Sequence, residues 1–244
     1  MRYFLHFSYD GTAYHGWQLQ PNARSVQAEV NRALSTLLRE EILTTGAGRT
    51  DAGVHARRMV AHFDTQADFD CGDVAFRLNR LLPADIAVER IERVRDDAHA
   101  RFDARSRTYH YYIYQQKAPF RRRYAARFSF PLDFARMNEA AQMLTAVTDF
   151  TSFSKVHTDT KTNICHVTHA RWEEVEPDLW RFEITADRFL RNMVRAIVGT
   201  LIDVGRGRLT LGQFEDVIRR KNRCAAADSV PANALFLVDI RYGE

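Results

Sequence analysis

Hydrophobic and polar residues alternate along Arg2–Asp10, and this period of two predicts a β-strand. The strand ends at an Asp-Gly pair, which is typical of a turn. Apolar residues then recur at helical spacing from Val26 to about Arg39, and Ser25 can cap that helix. The rest of this half predicts a short strand at Ile42–Thr45, a strand at Arg58–Asp64, a helix that starts at Asp73 and stops at Pro83, and a strand at Ile86–Val94.

The second half of the chain repeats this order of elements. Its pattern predicts strands at Thr108–Gln115, Asn163–Val175, Leu179–Thr185 and Ala234–Arg241, and helices from Leu132 to about Val147, from Phe189 to about Val204, and at Leu211–Arg220. Apart from the last helix, each half has the β-α-β-β-α-β order of a ferredoxin-like unit. We therefore expect an α+β fold of two tandem ferredoxin-like units with antiparallel sheets, in domains at residues 1–104 and 105–244.

Composition indicates a globular protein, since 45% of the 244 residues are hydrophobic and 27% are charged. Basic residues exceed acidic ones by 35 to 31, and the net charge of +4 permits a polyanionic partner without demonstrating one. No stretch approaches the roughly 18 apolar residues that a membrane span requires. Three widely separated cysteines argue against a disulfide framework. We therefore expect a cytoplasmic protein with no membrane partner.

One group of metal-binding residue types, Cys165, His166 and His169, calls for a test of its geometry. The segment around it alternates and contains β-prone residues, which predicts a strand. Cys165 and His169 would share one face of that strand, about two pleats apart, and His166 would lie on the other. This arrangement suits a single ion poorly, so the sequence favours a structural strand over a metal site.

Gly46–Gly53 is the segment most suggestive of chemistry, because three glycines surround one carboxylate, Asp51. Glycine lets the backbone turn sharply or approach a ligand closely. Spacing alone leaves three interpretations open: a loop in which Asp51 is only a turn residue, a phosphate-binding loop, and a catalytic loop. The segment lacks the glycine and lysine spacing of nucleotide-binding loops, so the phosphate-binding interpretation is weak.

The segment Gly48–His55, GRTDAGVH, resembles the signature of the TruA family of pseudouridine synthases at all eight positions. Further blocks are similar to that family and occur in the same order: Asp10–Gln18 with Ser25–Gln27, Arg107–Tyr111, Asp149–Phe153, Phe189–Arg195 and Leu235–Val238. Together these blocks span essentially the whole chain. On this resemblance the chain is identified as a member of the TruA family.

The resemblance implies a specific reaction and partner. The family converts uridines at positions 38 to 40 of the tRNA anticodon stem-loop to pseudouridine, by detaching uracil from its sugar and rejoining it through carbon. No atoms are gained or lost, so neither a cofactor nor a metal is implied. The family is homodimeric, and one tRNA spans both subunits.

The resemblance also assigns roles to four residues. Asp51 is expected to be the catalytic carboxylate, acting as nucleophile or base toward the sugar or the ring. Arg195 is expected to favour its ionised form, and Tyr109 to stack on the extruded uracil. Arg49 is expected to contact the RNA backbone or to hold the flipped nucleotide out. Since Asp51 belongs to the first half and Tyr109 and Arg195 to the second, the active site is expected in a cleft between the two halves.

Contacts with tRNA phosphates require arginines or lysines, although runs of charge are usually solvated faces. The candidates are Arg24, Arg57, Arg58, Arg77, Arg80, Arg105 and Arg107, with the runs Arg121–Arg123 and Arg219–Arg223. One alternative is a catalytically silent RNA-binding protein, because the fold alone does not determine function. A second alternative, an enzyme acting on a small nucleotide, would need a phosphate-binding loop that the sequence lacks.

Overall fold

The computed structural model describes residues 1–155 and 162–243. Its contacts divide the chain into two compact units. The first unit holds Met1–Arg105 and the residues from Leu237 onward, and the second holds Ser106–Phe236. The units thus differ from the expected bounds of 1–104 and 105–244, because the end of the chain belongs with the first unit.

The first unit combines a β-sheet with two helices. Its elements are β1 (Arg2–Tyr9), α1 (Val26–Leu38), β2 (Thr45–Gly46), β3 (His55–Asp64), α2 (Cys71–Leu81) and β4 (Ile86–Val94). The strand order is β4-β1-β3, with β1 antiparallel to both neighbours, and β2 pairs with β3. Leu5 and Phe7 of β1 lie in the core, where at most 1% of each residue is exposed.

The second unit has the same general construction. Its elements are β5 (Ala104–Tyr114, whose first two residues belong to the first unit), β6 (Ala126–Arg127), α3 (Phe134–Met143), β7 (Val167–Glu176), β8 (Leu179–Ala186), α4 (Met193–Gly205) and α5 (Leu211–Arg219). The strand order is β5-β8-β7 with antiparallel pairing, and the short β6 runs parallel to β5. Helix α4 is hydrophobic nearly all round and almost wholly buried, as expected of a central helix.

The last strand, β9 (Leu235–Tyr242), explains why the end of the chain belongs with the first unit. It lies next to β3 in the sheet order. Tyr242 packs its ring 5.3 Å from the ring of Phe4, and its hydroxyl donates a hydrogen bond to the carbonyl oxygen of Ala100 at 2.8 Å. A boundary drawn from sequence order alone does not anticipate a strand that returns.

The α+β prediction, with mostly antiparallel strands, is confirmed. Several element boundaries were wrong. The strand predicted at Ile42–Thr45 forms only at Thr45–Gly46, and α2 begins at Cys71 because Asp70, and not Asp73, is its N-cap. The helix predicted from Phe189 begins at Met193, because Asn192 has a left-handed backbone with φ of 66°.

The described ranges, 1–155 and 162–243, contain no helix that is both long enough and apolar enough to cross a bilayer.

Candidate active site

The loop that carries Asp51 joins β2 to β3 and is held by backbone hydrogen bonds. Trp17 N–H donates to the carbonyl oxygen of Thr50 at 3.3 Å, and Gly53 N–H donates to that of Tyr14 at 3.2 Å. The Thr50 hydroxyl is itself 2.8 Å from the buried hydroxyl of Tyr9. The residue immediately before Asp51 is therefore anchored to the end of β1 and to the segment that follows it.

Two glycines make this close approach of the two segments possible. A Cβ atom at Gly11 would lie 2.0 Å from the carbonyl oxygen of Val54, and one at Gly16 would lie 2.3 Å from that of Thr50. Gly16 also has φ of +94°, a region that side chains rarely adopt. These positions accept only glycine, which explains why the glycines before α1 matter to a loop some 40 residues later in the chain.

Asp51 sits at a tight turn within this loop. Val54 N–H donates to the Asp51 carbonyl oxygen at 3.1 Å, and Gly53, with φ of +77°, turns the chain. Asp51 itself is half-buried, whereas Arg49 is exposed. The backbone of Asp51 forms the turn, as one of the interpretations of the sequence had it. Its catalytic role stays a prediction.

His55 closes the far side of the loop, a role that the sequence analysis did not assign. Its side chain is buried, and its Nδ1 atom lies 3.0 Å from the Gly11 amide nitrogen, which donates to it. The same atom lies 3.0 Å from Oδ1 of Asp10. Asp10 Oδ1 also accepts from Thr12 N–H at 3.0 Å. The sequence signal for this role is the position of His55 at the end of the Gly48–His55 segment.

Tyr14 is a second side chain that the sequence analysis missed. Its hydroxyl donates to Oδ1 of Asp85 at 2.5 Å, and burial together with that carboxylate raises the pKa of Tyr14. The guanidinium of Arg24 lies over the Tyr14 ring, 4.7 Å from its centroid. These contacts fix the position of Tyr14, whose carbonyl oxygen accepts the hydrogen bond from Gly53 N–H.

In the second unit, Tyr109 lies on β5 and its side chain is largely buried. Its ring packs edge-to-face against Phe189, with 5.0 Å between the ring centroids. Tyr111, two residues along the same strand, is fully buried, and its hydroxyl donates to the carbonyl oxygen of Pro231 at 3.0 Å. Tyr111 therefore serves packing, and only 9% of Tyr109 is exposed.

Arg195 lies in the first turn of α4 and is held at a defined place. Its Nε donates to the carbonyl oxygen of Val230 at 2.7 Å, and Val230 N–H donates to the Arg195 carbonyl oxygen at 3.3 Å. Burial raises the pKa of Tyr111, and the positive charge of Arg195 opposes that rise. Arg195 is half-buried, so it is not a freely solvated charge on a helix surface.

The structure thus places Arg49 and Asp51 in one loop of the first unit, and Tyr109 and Arg195 in the second unit. The expected cleft between the two halves stays a prediction.

Three of the seven arginines proposed for phosphate contact pair with a carboxylate of their own unit. The pairs are Arg24 with Glu29 at 3.0 Å, Arg58 with Asp239 at 3.0 Å, and Arg77 with Asp73 at 3.5 Å. Surface pairs of this kind are weak, so they do not prevent a phosphate contact, but they reduce its net gain.

The remaining four arginines differ in their surroundings. Arg107 donates to the carbonyl oxygen of Asp187 at 2.8 Å, and Arg80 lies 5.8 Å from the ring centroid of Phe76. Arg57 and Arg105 are exposed.

The group formed by Cys165, His166 and His169 lies only partly in a strand, because β7 begins at Val167 and not at Asn163. Cys165 is fully buried, and His166 Nδ1 lies 3.0 Å from Asp187. Across residues 1–155 and 162–243, no three His, Cys, Asp or Glu side chains are placed to hold a metal ion.

Comparison with known proteins adds a second line of evidence. A family model described as tRNA pseudouridine synthase matches residues 6–103 and 140–243. The chain is 59% identical to the tRNA pseudouridine synthase A of Bacteroides thetaiotaomicron, over all of this chain and 91% of that protein. It is 58% identical to the protein of the same name from Bacteroides fragilis, over 99% and 96% of the two chains. Identity is 39% to that of Bacillus subtilis, over 99% of each. The resemblance found in the sequence is confirmed, and the chain belongs to the tRNA pseudouridine synthase family.

Proposed function

We propose that this protein isomerises uridine to pseudouridine in tRNA, at positions 38 to 40 of the anticodon stem-loop. The observation that carries the proposal is the Asp51 loop, in which the half-buried Asp51 lies on a backbone held at Thr50 and Gly53. Relatives that share 39 to 59% of their residues with this chain carry the name tRNA pseudouridine synthase A, and this supports the same substrate here.

The reaction explains why a fixed carboxylate is useful. The N1–C1′ bond of uridine breaks, a C5–C1′ bond forms, C5 loses a proton and N1 gains one. A base within a stacked helix cannot turn, so the nucleotide must first be flipped out, at a cost of a few kcal/mol. Asp51 then serves as nucleophile or base toward the sugar or the ring, and its fixed backbone reduces the entropy lost on reaching that geometry.

We assign supporting roles to three further residues. Arg195, anchored through Val230, stabilises the ionised form of the catalytic carboxylate. Tyr109, braced by Phe189, supplies an aromatic face to the extruded uracil, which is worth roughly 1–3 kcal/mol. Arg49 is exposed and contacts the RNA backbone or holds the flipped nucleotide out. The proposal includes a cytoplasmic homodimer that binds one tRNA across both subunits.

The test compares Asp51→Asn with the wild-type protein on unmodified tRNA, with pseudouridine mapped by chemical derivatisation. Since asparagine has nearly the same shape but cannot act as a nucleophile or base, we expect a loss of at least about a thousandfold in rate. Asp68→Asn is the matched control, because it makes the same change at an exposed carboxylate of the same unit, and its rate should equal that of the wild type.

Two outcomes would overturn the proposal: activity in Asp51→Asn, or no pseudouridine formed by the wild type on any tRNA. The second outcome, with tRNA binding retained, would instead favour a catalytically silent RNA-binding protein. Mapping the modified positions separates 38, 39 and 40, and gel filtration with light scattering tests the homodimer.

A further inference from the structure

A cavity of about 620 Å³ lies in the first unit, at the end of the sheet where β1 begins and where β4 and β9 end. The side chains that matter here are Phe4, Arg93, Arg95, Phe102, Arg105 and Tyr242. Only Arg105 was among the candidates drawn from the sequence. These side chains come from β1, from residues 93–105 and from β9, so their shared position depends on the pairing of strands that are far apart in the chain.

The wall of this cavity is positively charged. Among the described residues, no carboxylate lies within ion-pair distance of Arg93 or Arg105, and both side chains are exposed. Arg95 lies 3.6 Å from Asp97 at the surface. The acidic residue of the lining, Asp103, uses Oδ2 to accept the His99 amide at 2.8 Å. An anion entering the cavity thus meets guanidinium groups, which bind phosphate through paired N–H donors.

One rim of the cavity carries an exposed aromatic ring on a fixed turn. Phe102 is 74% exposed, yet its amide donates to Nδ1 of His99 at 3.2 Å and its ring lies 4.2 Å from the His99 ring. Ala100 N–H donates to Nδ1 of the buried His62 at 3.1 Å, and the Ala100 carbonyl accepts from Tyr242. The turn is therefore held by hydrogen bonds to His62 and Tyr242. The Phe102 ring is available for stacking without a further loss of conformational entropy.

The floor of the cavity is apolar, because it is formed by the rings of Phe4 and Tyr242, whose centroids lie 5.3 Å apart. An apolar floor, a cationic wall and an exposed ring match the three parts of a nucleotide, whose base stacks on aromatic rings and whose phosphate meets arginines.

The position of the cavity indicates which nucleotide it would take. Phe4 and Tyr9 are five residues apart on β1, and Tyr9 contacts Thr50, the neighbour of Asp51. A strand rises about 3.4 Å per residue, so the two ends are about 17 Å apart. A single nucleotide cannot reach both ends, whereas one RNA strand of several nucleotides can.

We infer that this cavity binds a nucleotide of the tRNA that lies outside the target uridine, with its phosphate on Arg93 and Arg105 and its base on Phe102. The inference rests on the proposed function, in which the substrate is tRNA. The site adds affinity and fixes the RNA at a second point, so that the target uridine is presented to the Asp51 loop.

The test measures binding of unmodified tRNA by fluorescence anisotropy at several salt concentrations, together with KM and kcat for pseudouridine formation. The double variant Arg93→Gln/Arg105→Gln should weaken binding at least about tenfold and reduce the slope of log K against log salt by about 2. Phe102→Ala should weaken binding about fivefold or more with an unchanged slope, because it removes stacking and not charge. In both variants the defect should appear in KM.

The matched control is Arg136→Gln, which removes an exposed arginine of α3 that pairs with Asp133 at 3.6 Å. It should bind tRNA as the wild type does. Arg93→Lys/Arg105→Lys should recover the salt slope, because the charge is restored. All these side chains are exposed, and melting temperatures close to that of the wild type would verify folding.

Failure of this inference is distinguishable from failure of the proposed function. If the wild type modifies tRNA and the Gln double variant binds tRNA as tightly as Arg136→Gln, the inference is overturned and the proposed function stands. Titration with free UMP distinguishes the source of the nucleotide: tight UMP binding that is lost in the double variant, with no change in tRNA affinity, would also overturn it. If the wild type forms no pseudouridine, the proposed function fails, whereas a loss of tRNA affinity in the cavity variants would still support the RNA site.

Discussion

The Asp51 loop and the first turn of α4 are both held in place, but by different kinds of contact. The loop is held chiefly by backbone hydrogen bonds at Thr50 and Gly53. The segment that packs against it must have glycine at Gly11 and Gly16. Arg195 in α4 is held by its side chain, through Nε on the Val230 carbonyl oxygen. Just before α4, the side-chain amide of Asn192 donates a hydrogen bond to the Ser229 hydroxyl.

This difference determines how each region should respond to mutation. Where two backbone segments are in van der Waals contact, there is no space for an added atom, so a single methyl group forces the two segments apart. A side-chain anchor can be shortened or replaced by water, so its loss is graded. The four predictions below test this contrast, from the largest expected effect to the smallest.

Gly11→Ala should have the largest effect, because its Cβ would lie 2.0 Å from the Val54 carbonyl oxygen. We expect unfolding free energy to fall by about 3 kcal/mol and pseudouridine formation to be lost. Urea denaturation and a tRNA modification assay measure the two. The control is Gly48→Ala, in the same loop, where an added Cβ meets nothing within 4 Å and stability should change by less than about 0.5 kcal/mol. Equal stabilities for the two variants would remove the backbone explanation.

Arg195→Lys should reduce the rate of pseudouridine formation by about a hundredfold. Lysine keeps the charge but cannot donate to the Val230 carbonyl oxygen and also present a second planar N–H group. Tyr111→Phe is the comparison, since it removes one hydrogen bond, to Pro231, and should cost about 1 kcal/mol of stability. Single-turnover rates and thermal melts measure both, and a wild-type rate in Arg195→Lys would contradict the side-chain anchor.

Stability should also depend on pH through three histidines of the first unit. Burial lowers the pKa of His62 to about 4, with the charges of Arg2 and His99 adding to the effect. Burial likewise lowers the pKa of His6 and of His99. A free histidine titrates near pH 6.5, so between pH 6.5 and 4 the unfolded chain binds more protons than the folded one.

The unfolding free energy should therefore be highest above pH 6.5 and fall as the pH drops toward 4, by about 2 kcal/mol between pH 6.5 and 5 from His62. Urea denaturation at several pH values measures the slope. His62→Gln keeps a hydrogen-bond acceptor near Ala100 but does not titrate, so its slope should be shallower. A slope equal to that of the wild type would show that His62 is not the source.

Arg77→Ala should have the smallest effect of the four. Arg77 is an exposed residue of α2 that already pairs with Asp73, so its net contribution to phosphate binding is small. We expect tRNA affinity to change by less than about twofold, measured at the same salt concentration as the wild type. A tenfold loss would restore Arg77 as a main phosphate contact.

Much of the fold could be predicted from the sequence, because periodicity and capping are local. Ser25 caps α1 as expected, with its Oγ accepting from Ala28 N–H at 3.3 Å, and β4 occupies the predicted range Ile86–Val94. The start of α4 could not be predicted, because the left-handed Asn192 contacts Ser229, 37 residues away.

The candidate site divides in the same way. Asp51 stands out in the sequence because its loop is one contiguous segment, Gly48–His55. Arg195 is ordinary in sequence terms, and only the family resemblance assigned it a role. The anchor at Val230 could not be foreseen, because it lies 35 residues further along the chain.

The sequence by itself determined the order of the elements, the α+β class and the loop that carries Asp51, because each depends on the spacing of neighbouring residues. The tertiary structure decided that Gly11 and Gly16 must be glycine and that Arg195 is anchored. It also decided that Arg93, Arg105 and Phe102 share one cavity. These features depend on contacts between segments that are separate in the chain, or on how the segment after β4 packs against the sheet, and local spacing carries no information about such contacts.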